Sequence, residues 1–362
     1  MRRARGLAVL LLGAVAGGEM AGPAGVVRAT AEAAEPAAAP AAPDEALDLR
    51  RISPEQRRRL LRGEAISYGV AETSEKELTA GLALYLTVPL SRLAEYLSGP
   101  EPIAQDPAIS TYGFISDAAG PEAFPALRFT RAELAEAQSL LDTVPGTQWN
   151  LSRREIDALR ALKGSLAGAE RRAILAAVSQ QHRLQLFERW QAYRSDGLAG
   201  IVPYARRNEA VADPAAELRA ALADVRPFAD IAPRIAEALL RPAGPPASGA
   251  PRFYWIRRPL QGRPAVTLVH QVLELLPELI LQVERHFYVG HSYNSSQVVP
   301  GGFPFQSGLL VVSTNRVTTD HVAGFGNDLT RAVGRRQLRA EVLRRLDRLR
   351  AVLVQPARPE SP

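Results

Sequence analysis

The sequence predicts an α+β protein in which an antiparallel β-sheet carries a long C-terminal helix packed on it and is interrupted by a helical insertion. Segments rich in β-branched and aromatic residues, typical of strands, lie within residues 64–129 and 252–320. The stretch between them, residues 130–241, has helical spacing nearly throughout. The chain then closes with an apolar stripe at steps of three and four residues, formed by Leu338, Val342, Leu346, Leu349 and Leu353. Such a stripe indicates a helix that covers one face of the sheet.

Residues 1–29 have the three-part layout of a secretory signal peptide. Arg2, Arg3 and Arg5 form a basic start, residues 6–16 are uncharged, and Val27-Arg28-Ala29 offers a cleavage site. The uncharged run is too short to span a bilayer, which takes about 20 apolar residues. The layout predicts a soluble periplasmic or secreted protein with no transmembrane segment in the mature chain. A frayed N-terminal helix that is never cleaved is the alternative.

Three further segments are expected to lie outside the folded parts. Residues 30–47 are rich in Ala, Pro and acidic residues and predict a disordered linker. Residues 242–251 contain only Pro, Gly, Ala and Ser and predict a second linker. Residues 355–362 predict a disordered tail. The remaining chain divides into a sheet domain (residues 48–129 with 252–354) and the helical insertion (residues 130–241).

Composition allows a sizeable core and excludes several kinds of chemistry. Hydrophobic residues make up 46% of the chain and charged residues 23%, which is ordinary for a globular protein. The absence of cysteine excludes disulfides, thiol nucleophiles, cysteine-ligated zinc and iron–sulfur clusters. The net charge is +6, but residues 1–29 contain four arginines and one glutamate, so the mature chain would carry +3. That balance does not indicate a nucleic-acid partner.

The elements before the insertion can be placed from local signals. Ser53 as N-cap, followed by a proline and a glutamate, begins a helix that runs to Arg62. Strands are predicted over residues 65–70, 78–88 and 109–115, with a short helix after Pro89.

The remaining elements follow in the same way. Ser152 and Glu155 form a capping box that begins a helix, and later helices are predicted over residues 169–193, 215–225 and 232–240. Strands are then predicted over residues 253–256, 265–275, 279–289 and 309–314, with a turn at Gly301-Gly302 and the last helix over 322–352.

This order of elements is similar to that of the START-like helix-grip superfamily of hydrophobic-ligand-binding and cyclase proteins. The shared features are the strands, the short helix after Pro89, the further strands and the long terminal helix. The resemblance covers about half of the chain, rests on element order alone, and departs from the usual pattern at the large insertion. It implies a cavity between the sheet and the terminal helix that would take a lipid or another hydrophobic small molecule.

Polar side chains alternate along the strand predicted at residues 279–289. One face would carry Gln282, Glu284, His286 and Tyr288, while Phe287 would lie on the other. Such a row is either the solvent side of a half-exposed sheet or the polar lining of a cavity. Because these four side chains can hydrogen-bond one another, we predict that His286 and Tyr288 face an enclosed space under the terminal helix. Glu284, His286 and Tyr288 are therefore candidate ligand-binding residues.

A second candidate ligand site lies where the last strand meets the last helix. Arg316, Asp320 and His321 could hold an anionic or polar ligand at the N-terminus of that helix. Alternatively, Thr319 or Asp320 caps the helix and the cluster has no binding role.

No cofactor or metal is predicted. Four of the five histidines lie in the C-terminal region, at positions 270, 286, 291 and 321. Three of them with a carboxylate could bind a divalent metal, but no pair has a spacing that ensures convergence. The sequence also lacks a nucleophile elbow, a phosphate-binding glycine loop and a zinc-protease helix motif.

The terminal helix is strongly basic outside its apolar stripe. Its arginines lie at positions 331, 335, 336, 339, 344, 345, 348 and 350. A solvated face accounts for such a run. The alternative is a peripheral contact with an anionic membrane surface.

Three functions stay open at this point. The first is non-enzymatic binding of an apolar or amphipathic small molecule by an exported cell-envelope protein. The second is acid–base or hydrolytic catalysis by His286 and Glu284. The third is an envelope scaffold whose helical insertion binds a protein partner through Trp190, Tyr193 and Tyr204.

Overall fold

The computed structural model describes residues 53–116, 118–243, 252–324 and 328–354. The predictions of a signal peptide at 1–29, a linker at 30–47 and a tail at 355–362 lie outside the described residues, as does most of the linker predicted at 242–251.

The described chain contains the predicted strands, together with Tyr204–Ala205, Val211–Ala212 and Ser295–Phe305, which the sequence did not predict. The strands are β1 (Ile66–Tyr68), β2 (Glu77–Leu86), β3 (Thr111–Ile115), β4 (Tyr204–Ala205), β5 (Val211–Ala212), β6 (Arg252–Leu260), β7 (Arg263–Leu276), β8 (Leu279–Val289), β9 (Ser295–Phe305) and β10 (Gly308–Thr318). The α-helices are α1 (Pro54–Leu61), α2 (Leu90–Ser98), α3 (Glu101–Ala104), α4 (Leu134–Leu141), α5 (Arg153–Ser165), α6 (Arg171–Asp196), α7 (Pro214–Ala220), α8 (Pro233–Leu240) and α9 (Asp328–Leu353).

Eight of these strands form one antiparallel sheet in the order β1–β2–β10–β9–β8–β7–β6–β3. β2 pairs with β10 over its whole length, and β3 pairs with β6 at the other end of the sheet. The strands that precede the helical segment therefore flank the strands that follow it. This arrangement, with the C-terminal helix, confirms the predicted α+β class; β4 and β5 form a separate two-stranded ribbon.

The apolar stripe of α9 packs on the β2 and β10 side of the sheet. Its five members are all buried and share a cluster with Leu78, Leu82 and Val311. Fully burying one leucine contributes about 1.5–3 kcal/mol, so the stripe is enough to hold the helix in place. The helix was expected to begin at Val322, but it begins at Asp328. Gly324 has a φ of +107°, which a right-handed helix cannot contain.

β9 is the strand of the eight-stranded sheet that the sequence pattern did not predict. Gly301-Gly302 was expected to be a turn, yet both glycines lie inside β9. A Cβ on Gly302 would come within 2.2 Å of a methyl group of Leu93, so the glycine lets α2 approach the sheet closely. Pro300 lacks an N–H group, and the pairing of β8 with β9 is interrupted opposite it.

The helical segment packs on the sheet face opposite α9. Tyr193 of α6 stacks on Phe287 of β8 with ring centroids 4.2 Å apart, and Trp190 lies edge-on to Phe253. Trp190, Tyr193 and Tyr204 are all at most 2% exposed. They belong to the core, so they do not form a surface through which the helical segment could contact a protein partner.

Most arginines of α9 contact the rest of the fold. Arg331 and Arg335 pair with Glu72, Arg348 pairs with Asp106, and Arg350 donates to the carbonyl of Gly63. The basic face is therefore partly an ion-paired surface. Of the helices in the described ranges, none has the length and apolar character needed to cross a membrane.

Candidate functional site

A cavity of about 100 Å³ lies between the sheet and the helices α2, α3 and α9. The central strands β8, β9 and β10 form its floor, and β6 forms one side. The α9 residues that close it are Arg345, Leu346, Arg348 and Leu349. The last residues of the apolar stripe thus both pack the helix on the sheet and line the cavity.

β8 supplies the polar floor. Gln282, Glu284 and His286 line the cavity, since every second side chain of a strand points to the same face. Phe287 lies on the opposite face, packed against the helical segment. Gln282 and His286 are at most 3% exposed and Glu284 is half-buried, so this row is largely shielded from solvent.

Tyr288 does not join this row, in contrast to the expectation. Val269 of β7 pairs with His286, but the preceding residue, Leu268, pairs with Tyr288, so β8 contains one extra residue at Phe287. Such a bulge reverses the alternation beyond it. Tyr288 therefore lies among the helices, with the Arg189 guanidinium 4.4 Å from the centre of its ring.

His286 is held by a hydrogen-bond chain that starts at Arg258 of β6. The Tyr293 hydroxyl lies 2.9 Å from His286 Nδ1 and accepts a hydrogen bond from Arg258 Nη2 at 3.1 Å. Since the hydroxyl accepts from Arg258, its own proton is available for Nδ1, and Nε2 then carries the ring proton. Burial, reinforced by Arg258 and Arg345, holds the pKa of His286 well below its usual range. The imidazole is therefore neutral at pH 7 and offers an N–H donor.

Charged groups of α9 complete the polar part of the site. Arg258 Nη1 donates to Glu341 at 2.9 Å, and Arg345 lies 3.5 Å from Glu284 and 3.7 Å from Glu341. Burial alone would raise the pKa of Glu341, but Arg258 and Arg345 lower it to about 2. Glu341 is therefore ionised throughout the physiological range.

Gln282 leaves one acceptor unused. Its Nε2 donates to Glu284 at 2.7 Å, while its Oε1 is buried without a hydrogen-bond partner among the described residues. A buried polar atom without a partner costs about 1–3 kcal/mol. Gln282 lines the cavity, but this oxygen is itself shielded, so a bound donor group could satisfy it only after the side chain turns toward the cavity.

The rest of the lining is apolar. Leu93 and Leu97 of α2, Ile103 of α3 and Val311 of β10 face the two α9 leucines across the cavity. Tyr96 and Tyr254 add rings, and burial raises the pKa of Tyr96 to about 12, so its hydroxyl stays protonated. Arg348 and Asp106, 3.0 Å apart, are also part of the lining. The site is amphipathic, with its polar groups concentrated on β8 and α9.

The second predicted cluster does not come together as a binding site. Arg316 is buried between Glu77 and Asp224, at 2.5 and 2.7 Å. Asp320 binds Lys76 and Arg206, and His321 is exposed. Thr319 caps only the short 3₁₀ turn Asp320–Val322, which α9 does not continue. Arg316 and Asp320 therefore act in two separate ion-pair networks that fix the end of β10.

The histidines bond different parts of the fold. His270 bonds Tyr193 on the helical side of the sheet, and His291 bonds Ser292 and the carbonyl of Pro264. Across the described ranges, no three acidic or imidazole side chains are placed to hold a metal ion.

Sequence reasoning missed Arg258, Tyr293, Glu341 and Arg345. A signal was present for Glu341 and Arg345. Together with Arg348 they follow one another along the helix at positions i, i+4 and i+7. This spacing places them in a row beside the apolar stripe, where they face the rim of the sheet. Comparison of the chain with protein-family models, curated proteins and solved structures gave no match. What can be said of function therefore depends on the geometry of the site.

Proposed function

We propose that the protein binds a small, neutral, amphipathic molecule in the cavity beneath α9, without chemically changing it. The observation that carries the proposal is the largely apolar cavity whose polar lining combines the Gln282 amide with two donors, His286 Nε2 and the Arg345 guanidinium. An amide, ester or hydroxyl group offers the complementary donors and acceptors. The helix-grip likeness, with its implied cavity between sheet and terminal helix, agrees with this proposal.

Charge balance favours a neutral ligand. The positive groups at the site are Arg258, Arg345 and Arg348, and the negative groups are Glu284, Glu341 and Asp106. Because each guanidinium has a carboxylate within 4 Å, neither an anionic nor a cationic head group would find an excess of opposite charge.

The size of the cavity limits what can be enclosed. An apolar cavity of about 150 Å³ accommodates benzene, so about 100 Å³ accommodates a polar head with a few carbon atoms. A longer hydrocarbon chain would have to leave the cavity or displace side chains such as Leu93 and Leu349.

Binding accounts for His286 better than acid–base catalysis does. A general base needs a free ring nitrogen within reach of its substrate. Here Nδ1 is engaged by Tyr293, and Nε2 holds the proton. The site therefore presents a hydrogen-bond donor where a hydrolytic enzyme would need a lone pair.

We further propose that the protein binds its ligand outside the cytoplasm. The support is the signal-peptide layout of residues 1–29. Expression of the full chain with a signal-peptidase-competent host, followed by mass measurement of the exported form, tests this point. A product beginning near residue 30 supports it, and a product retained with residues 1–29 intact in the cytoplasm contradicts it.

The binding proposal is tested by NMR titration and thermal shift with two neutral probes, N-butylacetamide and 1-octanol. The expected result is saturable binding with chemical-shift changes at β8 and α9. Gln282→Leu, which removes the unpartnered acceptor, should weaken the binding of N-butylacetamide more than the binding of 1-octanol. Leu346→Phe, which fills the cavity, should weaken the binding of both probes.

A matched control uses the exposed side of the same helix. Leu343 is 38% exposed, so Leu343→Phe should leave binding of both probes unchanged. If neither probe binds, or if L346F and L343F bind both equally well, the cavity is not the ligand site. Melting temperatures of all variants separate lost binding from lost folding.

A further inference from the structure

A basic groove runs across the helical segment, away from the cavity beneath α9. It has a volume of about 1100 Å³ and lies between residues 128–134 and the first half of α6. Its lining carries five arginines and a single carboxylate: Arg128, Arg131, Arg171, Arg172, Arg183 and Glu170.

Within the described residues, the groove arginines have no acidic partner. Arg128, Arg131, Arg171 and Arg172 are exposed, and no ion pair involves them in the part of the chain that the structure describes. Two acidic side chains of the adjoining segment are used elsewhere, since Glu133 pairs with Arg257 and Glu136 with Arg263 on the sheet side. Positive charge is therefore concentrated on one side of this segment.

The first turn of α6 adds to this field. The helix has 26 residues, begins at Arg171, and has no side-chain cap on its first N–H groups. Unbonded N–H groups at a helix N-terminus carry partial positive charge and attract anions. They reinforce the arginines at the same end of the groove.

The floor of the groove is apolar. Phe129, Leu134 and Leu175 line it, and Leu175 is only 9% exposed. The Phe129 ring is tilted against His182, with centroids 5.7 Å apart. One face of this ring is thus already covered.

We propose that this groove binds an acidic peptide segment of a partner protein, with carboxylates placed on the arginines and an apolar side chain on the floor. Guanidinium groups bind carboxylates through two parallel hydrogen bonds. The space exceeds what most single small molecules fill. The groove is concave, whereas a membrane presents a flat surface. Phe129 is the single aromatic residue of its lining, whereas single-stranded nucleic acids stack successive bases on several aromatic side chains.

The test is fluorescence anisotropy with a labelled twelve-residue peptide of glutamate, leucine and serine. The wild-type chain should bind it saturably, with affinity that falls as salt is raised. R171E/R172E should weaken binding by about tenfold or more, because two attractions become repulsions. R336E/R339E on the exposed face of α9 makes the same change in net charge and should stay within about twofold of wild type.

Two outcomes overturn the proposal. One is equal weakening by the two double variants, which would mean that the peptide responds only to net charge. The other is binding of anionic phosphatidylglycerol vesicles or an oligothymidylate, lost in R171E/R172E, with no binding of the peptide. Circular dichroism of each variant establishes that it is folded.

Discussion

Replacing Tyr293 with phenylalanine tests the hydrogen-bond chain that orients His286. The Tyr293 hydroxyl lies 2.9 Å from His286 Nδ1 and 3.1 Å from Arg258 Nη2, and all three side chains are at most 9% exposed. Y293F keeps the aromatic ring but leaves Nδ1 without its donor, while Arg258 keeps Glu341. A buried polar atom left without a partner costs about 1–3 kcal/mol. We therefore expect the free energy of unfolding to fall by about 2 kcal/mol.

The assay is urea unfolding at pH 7.5, followed by tryptophan fluorescence and far-UV circular dichroism. His286→Leu and the double variant Y293F/H286L complete a double-mutant cycle. Because the double variant has no Nδ1 to leave unpartnered, the two substitutions should cost less together than the sum of their separate costs, by about 1–2 kcal/mol.

The same variant has a binding readout. Without Tyr293 the neutral ring can hold its proton on either nitrogen, so a donor at Nε2 is no longer enforced. Affinity for N-butylacetamide should fall more than affinity for 1-octanol. A destabilisation below about 0.5 kcal/mol with no coupling to H286L would refute the orienting role of the hydroxyl.

Two further predictions concern pH and packing. Burial, followed by nearby arginines, lowers the pKa values of three histidines: His182 to about 4, His270 to about 3, and His286 well below its usual range. Below pH 6.5 the unfolded chain binds these protons and the folded chain does not. The free energy of unfolding therefore decreases as the pH is lowered. Burial raises the pKa of Glu217 to about 7, which has the opposite effect on stability over the same pH range. Urea unfolding should therefore show that the free energy of unfolding falls by a net amount of about 2 kcal/mol from pH 6 to pH 5. A free energy that stays constant or rises over this range would contradict the prediction. Gly302→Ala should cost about 1–3 kcal/mol and weaken probe binding, because its Cβ displaces Leu93. Gly164→Ala, where nothing lies within 4 Å, should be neutral or stabilising, and equal losses would argue against the close contact.

Periodicity was sufficient to predict part of the fold and part of the site. The stripe from Leu338 to Leu353 predicts a buried helix face because a step of 3.6 residues repeats without interruption. Alternation along β8 places Glu284 and His286 on the same side. These two predictions depend only on neighbours in the chain, which is why the sequence contains them.

The features that sequence reasoning missed depend on distant residues. The bulge at Phe287 is a mismatch between β7 and β8, and neither strand shows it alone. Gly301-Gly302 has the composition of a turn, yet it lies in a strand because Leu93, about 200 residues earlier, needs the space. Glu341 and Arg345 read as part of a solvated face until the sheet brings Arg258 and Glu284 to them.

The polar half of the cavity is hard to explain as a means of stabilising the fold. Buried ion pairs often contribute less than apolar side chains of the same volume, because removing two charges from water is costly. The stripe of α9 already supplies the packing that holds the helix to the sheet. Arg258, Glu341 and Arg345 nevertheless lie beside it, and Gln282 keeps a buried oxygen that has no partner among the described residues. A fold selected only for stability would gain from replacing these groups with leucine. A site that must recognise one polar group among apolar surroundings needs them, since an unmet hydrogen bond is what discriminates a matching ligand from one that lacks the group.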